Sequence, residues 1–356
     1  MTDTLVSLVI PVFQVTREQF RACVSSVLAQ SHPELEIVLV DDGSALPLET
    51  WLQELGPTLR VRVLAQPNAG VAAARTAGVA VSTGAYVGFV DADDRVEREF
   101  VASALRIANE ADADIVFGGI RVQHEDASVR WRATGVRAGG VQVLAGDDLD
   151  AVRAAALSAS PSPFAETPVT LVTNVVGALY ARRVLDRVVF PAGVRHGEDR
   201  LFNVAALGVA ARAGFTSEPW YVYDRRGAAG ATRTVSLDAA RGLLGTLRAF
   251  AALAVPPETA DAAPVPPMVR EAAADGTLNY LKMLAGMAAA AGDRRAALPL
   301  VRAALSVKGV REAVARAAAD SARDRLFAVC ARRGLAGPML WLGELWVRHS
   351  PTAPRA

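Results

Sequence analysis

Over the first hundred residues, short aliphatic and β-branched runs alternate with stretches of helical period. The runs Leu5–Ile10, Glu36–Val40, Val61–Ala65 and Tyr86–Val90 predict four strands, and helices are expected to start near Thr16, Pro47 and Val71. This alternation marks a parallel sheet covered by crossover helices. In the first helix Phe20, Val24, Val27 and Leu28 share a face behind the polar lead Arg17-Glu18-Gln19, and that face is expected to pack on the sheet. Parallel strands joined by right-handed crossovers point the same way, so their C-terminal ends share one edge. Pro11–Gln14, Asp41–Ser44 and Asp91–Asp94 all fall on that edge. They should converge on one crevice, where open α/β sheets bind nucleotides.

Beyond Arg98 the pattern predicts a helix with Phe100, Leu105 and Ile107 inward, then a strand at Ile115–Phe117. Residues 123–168, rich in Ala, Gly, Asp and Pro, give no clear order of elements. Val169–Tyr180 reads as strand-like, Arg182–Arg187 as a short helix, Glu198–Ala211 as a helix and Trp220–Tyr223 as a strand. After residue 236 the chain turns to Ala-rich helices interrupted by a Pro-rich linker, Val255 to Pro267. The organisation expected is an α/β domain over 1–235 and a smaller helical region over 236–356.

Composition narrows the function classes. The chain has 356 residues with 52% hydrophobic positions, enough for a sizeable core and too apolar for a disordered protein. Lys+Arg 38 against Asp+Glu 37 leaves +1, so no overall field points to a nucleic-acid partner. Only Cys23 and Cys330 occur, which argues against a disulfide framework or a cysteine-built zinc site and fits a reducing cytoplasm. The run Leu5 to Phe13 lacks a basic leader and a cleavage site. Leu243–Val255 carries Arg248 and Leu335–Val347 carries Glu344, whereas a spanning helix needs roughly 20 apolar residues. A cytoplasmic protein is expected. The stripe Trp341, Leu342, Leu345 and Trp346 beside Arg348 reads first as packing within the chain or between copies. Its second reading is peripheral contact with the inner face of a membrane.

Chemistry gathers in a few clusters. FVDADD, Phe89 to Asp94, sets three carboxylates on a turn after a buried strand. Such crowding suits a hard divalent cation, Mg²⁺ or Mn²⁺, that takes one or two carboxylates and shares phosphate oxygens; the bland reading is a solvated acidic turn. VDDGS, Val40 to Ser44, is by itself an ordinary turn and gains weight from its place on the same edge. In Gln66–Gly70, Asn68 lies at the start of a helix that carries Arg75 one turn in, so backbone N–H groups and a guanidinium could face a phosphate. A plain cap with an exposed arginine is the alternative. HGEDRLFN, His196 to Asn203, puts Glu198 and Asp199 in a first helical turn, where acidic residues are favoured in any case. No GxGxxG follows the first strand, and no GxxxxGK[ST] or GxSxG occurs, which disfavours dehydrogenases, P-loop ATPases and α/β-hydrolases.

LVIPVFQV, SVLAQS, EIVLVDDGS, QPNAGVAAARTAG, GAYVGFVDADD and GEDRLF stand in an order that resembles the family 2 inverting glycosyltransferases of the GT-A fold, over about residues 5–235. The resemblance implies a Rossmann-like mixed, mainly parallel sheet with helices on both faces, followed by the smaller C-terminal helical region. It implies that Pro11, Val12 and Asp41 hold the nucleobase with Asp42 close by. Asp91 and Ala92 fall on the ribose and diphosphate side, Asp93 is the metal ligand with Asp91 beside it, and Asp94 is a neighbour. Asp199 is implied as the general base, Glu198 positions it or the acceptor, and Gly177–Tyr180 floors the acceptor side. The partners implied are a nucleotide-sugar donor, foremost a UDP-sugar, and a carbohydrate or lipid-linked acceptor, in synthesis of a cell-surface polysaccharide, teichoic acid or glycolipid.

Two departures stand out. After Tyr221-Val222-Tyr223 come Asp224 and Arg225-Arg226, with Gly230-Ala231-Thr232 where the family often has Gly-Ser. The QxxRW signature of processive synthases is missing, since Arg130-Trp131 has Ala127 in the glutamine position, and single addition is favoured. The rival readings are a nucleotidyltransferase of similar fold and a non-catalytic sugar-nucleotide-binding module.

Overall fold

The computed structural model describes residues 4–55, 61–123, 128–130, 140–158, 172–224, 236–255 and 264–349. Two compact units emerge. The first comprises Met1–Leu149, Phe164–Ala192 and Asp199–Ala228; the second comprises Asp150–Pro163, Gly193–Glu198 and Ala229–Ala356. Asp150–Pro163, Gly193–Glu198 and the chain from Ala229 onward thus group with the helical unit.

In the first unit, strands β1 (Val6–Val12), β2 (Leu35–Asp42), β3 (Val61–Gln66) and β4 (Tyr86–Phe89) appear where the apolar runs predict them. β1 pairs in parallel with both β2 and β4, and β2 with β3. The helices α1 (Arg17–Leu28), α2 (Leu48–Gln53), α3 (Val71–Val81) and α4 (Phe100–Ala111) connect or follow them. Thr16 caps α1 with a reciprocal pair: its hydroxyl accepts the Gln19 N–H at 3.2 Å, and Gln19 Oε1 accepts the Thr16 N–H at 2.9 Å. Phe20, Val24 and Val27 are buried as expected, but Leu28 is 42% exposed and Cys23 joins the buried face instead. At about 100° per residue Leu28 falls on the flank of that stripe. Phe100, Leu105 and Ile107 point inward, as their spacing predicts.

The rest of the sheet is mixed. The short β5 (Arg95–Val96) precedes α4, and β6 (Ile115–Gln123), β7 (Ser128–Arg130) and β8 (Val141–Ala145) follow it. α5 (Asp147–Ser158), β9 (Ala178–Ala181), α6 (Arg182–Leu185), α7 (Glu198–Val209) and β10 (Arg212–Asp224) come next. Among the described residues the strand order is β3-β2-β1-β4-β9-β6-β10-β5, with β7 on β6 and β8 on β10. β9 runs antiparallel between β4 and β6, and β10 runs parallel to β6.

Three expectations change here. Of the strand expected over Val169–Tyr180, residues 169–171 lie outside the described residues, and from Val172 onward the strand begins only at Ala178 and runs to Ala181, because Gly177 takes φ +68° and the Asn203 amide claims the carbonyls of Val172 and Asn174 at 2.9 and 2.7 Å. Trp220–Tyr223 is the tail of a longer strand, whose irregular register between Phe215 and Tyr221 hides it from a periodicity reading. The helix ends at Val209 instead of Ala211, since Arg212 already pairs with β8.

The second unit is helical. Its remaining helices are α8 (Leu237–Ala254), α9 (Pro267–Ala290), α10 (Arg294–Ser306), α11 (Val310–Arg316), α12 (Ala322–Arg332) and α13 (Ala336–His349). Ser236, Asp293 and Ser321 cap α8, α10 and α12 through their side chains. Leu247, Phe250, Leu281, Leu284 and Val301 form the core, and α13 contributes Met339, Leu340 and Leu342 to the buried set while Trp341 is 52% exposed. Lys282 pairs with Asp324 at 2.7 Å. Among the described residues no helix is long and apolar enough to cross a membrane. Arg225, Arg226, Gly230–Thr232, Trp131, most of the Pro-rich linker, and the side chains of Trp346 and Arg348 lie outside what is described.

Packing tolerance is tightest where β6 meets β10. A Cβ added to Gly118 would lie 2.0 Å from Cε3 of the buried Trp220, whose ring packs 5.7 Å from Phe100. Gly118→Ala is expected to cost about 1–3 kcal/mol in chemical denaturation; unchanged stability would mean that Trp220 has room to move.

Candidate functional site

The C-terminal edge of the parallel strands collects the acidic segments as topology requires. Register places Val12 beside Asp41 and Pro11 beside Val40, so these ends of β1 and β2 form one lip. Asp41 turns back on its own loop, with Oδ1 accepting the Ser44 N–H at 2.8 Å and the Ser44 hydroxyl at 2.6 Å. Asp42 is buried. Its Oδ1 accepts from Gln66 Nε2 at 2.7 Å and the Ala69 N–H at 2.9 Å, and its Oδ2 accepts the Gly70 N–H at 2.9 Å. The anion at the start of α3 is thus the chain's own carboxylate, which takes backbone donors that the sequence offers to a phosphate. Gly43, at φ +74°, lets the two loops meet, since a Cβ there would lie 2.6 Å from the Asn68 backbone nitrogen. Asn68 itself is exposed.

Arg75 departs most from its expected setting. It is 2% exposed and spans two carboxylates, with Nη2 at 2.7 Å from Asp91 Oδ1 and Nη1 at 2.5 Å from Asp199 Oδ1. Its guanidinium carbon sits 5.7 Å above the Phe190 ring, which stacks on Phe202 at 4.0 Å. One cation therefore joins the acidic turn after β4 to the start of α7, 124 residues from Arg75. This bridge brings Asp91 and Asp199 into one site.

Asp199 keeps 18% of its side chain exposed, and among the described residues its Oδ2 accepts a long 3.4 Å bond from the Val175 N–H. Burial pushes its carboxyl above the usual range, Arg75 opposes that shift and Asp91 adds to it. Glu198, the first residue of α7, groups with the helical unit. Tyr180 and Asn203, bonded at 2.7 Å, hold the turn of α7 that follows. Phe190 and Asn203 had no assigned role in the sequence; Asn203 lies inside a motif singled out for its acids, whereas no local signal marks Phe190.

The acidic turn is under-neutralised. Burial, followed by Asp91, pushes the Asp93 carboxyl up, and burial with both neighbours pushes Asp94 up strongly. Asp93 is part-buried, Ala92 is buried, and Asp91 keeps 35% of its side chain exposed. Among the described residues Arg75 is the cation paired at this site, one positive charge against Asp91, Asp93, Asp94 and Asp199. That excess fits a hard divalent cation at Asp91 and Asp93. Among the described residues no group of three His, Cys, Asp or Glu forms a ready metal cage, so a bound cation would need other oxygens to complete its shell, as Mg²⁺ commonly does.

The glycosyl transferase family 2 model matches residues 7–187. The uncharacterized glycosyltransferase YibD of Escherichia coli (strain K12) is 30% identical over 223 residues, 61% of this chain and 60% of that protein. The uncharacterized glycosyltransferase EpsJ of Bacillus subtilis (strain 168) is 30% identical over 224 residues, 62% of this chain and 60% of its own length. The chain thus spans about three-fifths of the relatives it matches. Among solved structures, S. aureus TarS 1-349 in complex with UDP-GlcNAc superposes with a TM-score of 0.68 at 16% identity, covering 97% of this chain and 91% of that one. That likeness concerns the fold.

The raised Asp199 carboxyl has a pH consequence. A carboxyl whose folded pKa exceeds its unfolded one binds the proton better when folded, so its contribution falls as pH rises from the unfolded value of about 3.9 through the raised one. Asp199→Asn removes that titration. The stability of the original protein relative to the variant should decline with rising pH across that window, read from urea midpoints at successive pH values; a constant difference would place the Asp199 pKa in the ordinary range.

Proposed function

The chain belongs to glycosyl transferase family 2, and on that premise we propose that it is an inverting enzyme moving a sugar from a nucleoside-diphosphate donor to an acceptor hydroxyl. The observation that carries the reading is the arrangement around Arg75: a donor-side carboxylate, Asp91, and a candidate base, Asp199, held on one guanidinium at 2.7 and 2.5 Å. Inverting transfer is an in-line displacement, which needs a proton acceptor on one side of the sugar and charge neutralisation on the other. Asp199 would serve as the proton acceptor, and a cation held by Asp91 and Asp93 would supply the neutralising charge.

In this reading the lip of Pro11, Val12 and Asp41, with Asp42 behind it, receives the base, and Asn68 lies beside that lip. Asp91 faces the ribose and diphosphate, with Ala92 buried beside it and Arg75 held behind it by the two carboxylates. Asp93 with Asp91 would hold Mg²⁺ or Mn²⁺, which supplies neutralising charge to the departing diphosphate. Asp199 Oδ2, the less committed oxygen, takes the proton of the acceptor hydroxyl as that oxygen bonds to the anomeric carbon; the electron pair of the broken C–O bond leaves with the nucleoside diphosphate. Glu198 orients the acceptor or the base. A UDP-sugar is the first donor to test, supported by the UDP-GlcNAc bound to TarS. A bacterial cell-surface polymer or glycolipid is the acceptor class to test, by analogy with the family. The exposed Trp341 is the point from which a membrane or a second copy would be met.

A thermal-shift screen of UDP-, GDP- and dTDP-sugars with and without Mn²⁺ is expected to single out a UDP-sugar whose effect depends on the cation. With that donor, Asp199→Asn should still bind and should lose transfer by roughly 10²–10⁴-fold, whereas Asp93→Ala should weaken cation-dependent binding. Turnover of Asp199→Asn at the original rate removes the base assignment. Release of diphosphate from a nucleoside triphosphate, in place of nucleoside diphosphate from a sugar donor, would favour a nucleotidyltransferase.

A further inference from the structure

Against the acidic turn, the mechanism above leaves the buried polar groups Asp94 and Tyr221 without a task. Asp94 is 1% exposed although it sits in the most acidic stretch of the site. Its oxygens turn away from the crevice. Oδ2 accepts from the Tyr221 hydroxyl at 2.6 Å, and Oδ1 accepts the Asp224 N–H at 2.8 Å. The same Tyr221 oxygen accepts the Asp91 N–H at 3.1 Å. One fully buried hydroxyl therefore holds both ends of the turn whose own bond runs from the Asp94 N–H to the Asp91 carbonyl at 3.0 Å.

We propose that Tyr221 and Asp94 form a buried latch that positions the Asp91–Asp94 turn, so that Asp91 and Asp93 are presented to the donor already oriented. This deepens the donor-binding reading and rests on it for its purpose. Burying a carboxylate is costly unless each oxygen is bonded, and both oxygens of Asp94 are. A tyrosine serving only as packing would need one partner; this one both donates and accepts, and it reaches across 130 residues to do so. The neighbouring backbone is fixed too. The Val96 N–H donates to Ser26 Oγ at 3.1 Å, the Glu97 N–H to the Trp220 carbonyl at 2.8 Å, and Gln30 Nε2 to the Glu97 carbonyl at 2.8 Å. Helix α1 on one side and strand β10 on the other thus hold the turn. Order present beforehand need not be imposed when the ligand arrives, which strengthens binding.

The test uses the full chain with Tyr221→Phe, which keeps the ring and deletes the hydroxyl. Asp94→Asn is the second variant: with one acceptor oxygen in place of two, it must leave either Tyr221 or the Asp224 N–H facing an amide NH₂. Amide hydrogen exchange without nucleotide should quicken at residues 91–94 and stay unchanged in β1, β2 and β3. Calorimetric titration with UDP and Mn²⁺ should show about tenfold weaker binding. Unchanged exchange at 91–94 in both variants overturns the latch. Quickened exchange with unaltered UDP–Mn²⁺ affinity overturns its link to the donor. Should the original protein bind no nucleotide, the donor reading fails, while the exchange data still decide whether the latch exists.

Discussion

A guanidinium buried between two carboxylates constrains this molecule more than any other contact. Taking an arginine and its partners out of water is expensive, and only good geometry with full hydrogen bonding recovers that cost. Here the geometry comes from α3, the turn after β4 and the start of α7, with the Phe190 ring beneath the cation. None of the three can shift without stranding a buried charge. The position of Asp199 relative to the acidic turn therefore follows from where Arg75 can sit.

α3 is held in turn by closer contacts. Asp42 takes the backbone donors of Ala69 and Gly70 at its N-terminal end, and a Cβ on Gly78 would lie 2.3 Å from Val9, so the helix lies almost on β1. The helix that carries Asp199, α7, is fixed by Tyr180 and Asn203 within an aromatic cluster of Phe89, Phe190 and Phe202. Rigid elements thus carry the charged groups.

The acidic residues divide by where their oxygens point. Asp42 and Asp94 are spent inside the protein as backbone holders, whereas Asp91, Asp93 and Asp199 keep part of their surface toward the crevice. Adjacent residues of the same chemical type thus differ in whether their oxygens are taken up by the backbone or left part-exposed.

Period and spacing in the sequence were enough to determine β1 to β4, the helices between them, and the gathering of the 11–14, 41–44 and 91–94 segments on one edge, because strand direction and crossover hand leave few alternatives. Asp199 was singled out by the resemblance of GEDRLF to a family motif. Tertiary structure alone decided that Arg75 faces carboxylates instead of solvent, that Asp42 and Asp94 serve the backbone, that Leu28 yields its buried place to Cys23, and that β10 runs on through an irregular register. These outcomes depend on partners tens to more than a hundred residues away, and local periodicity carries no information about which distant group will meet a given side chain.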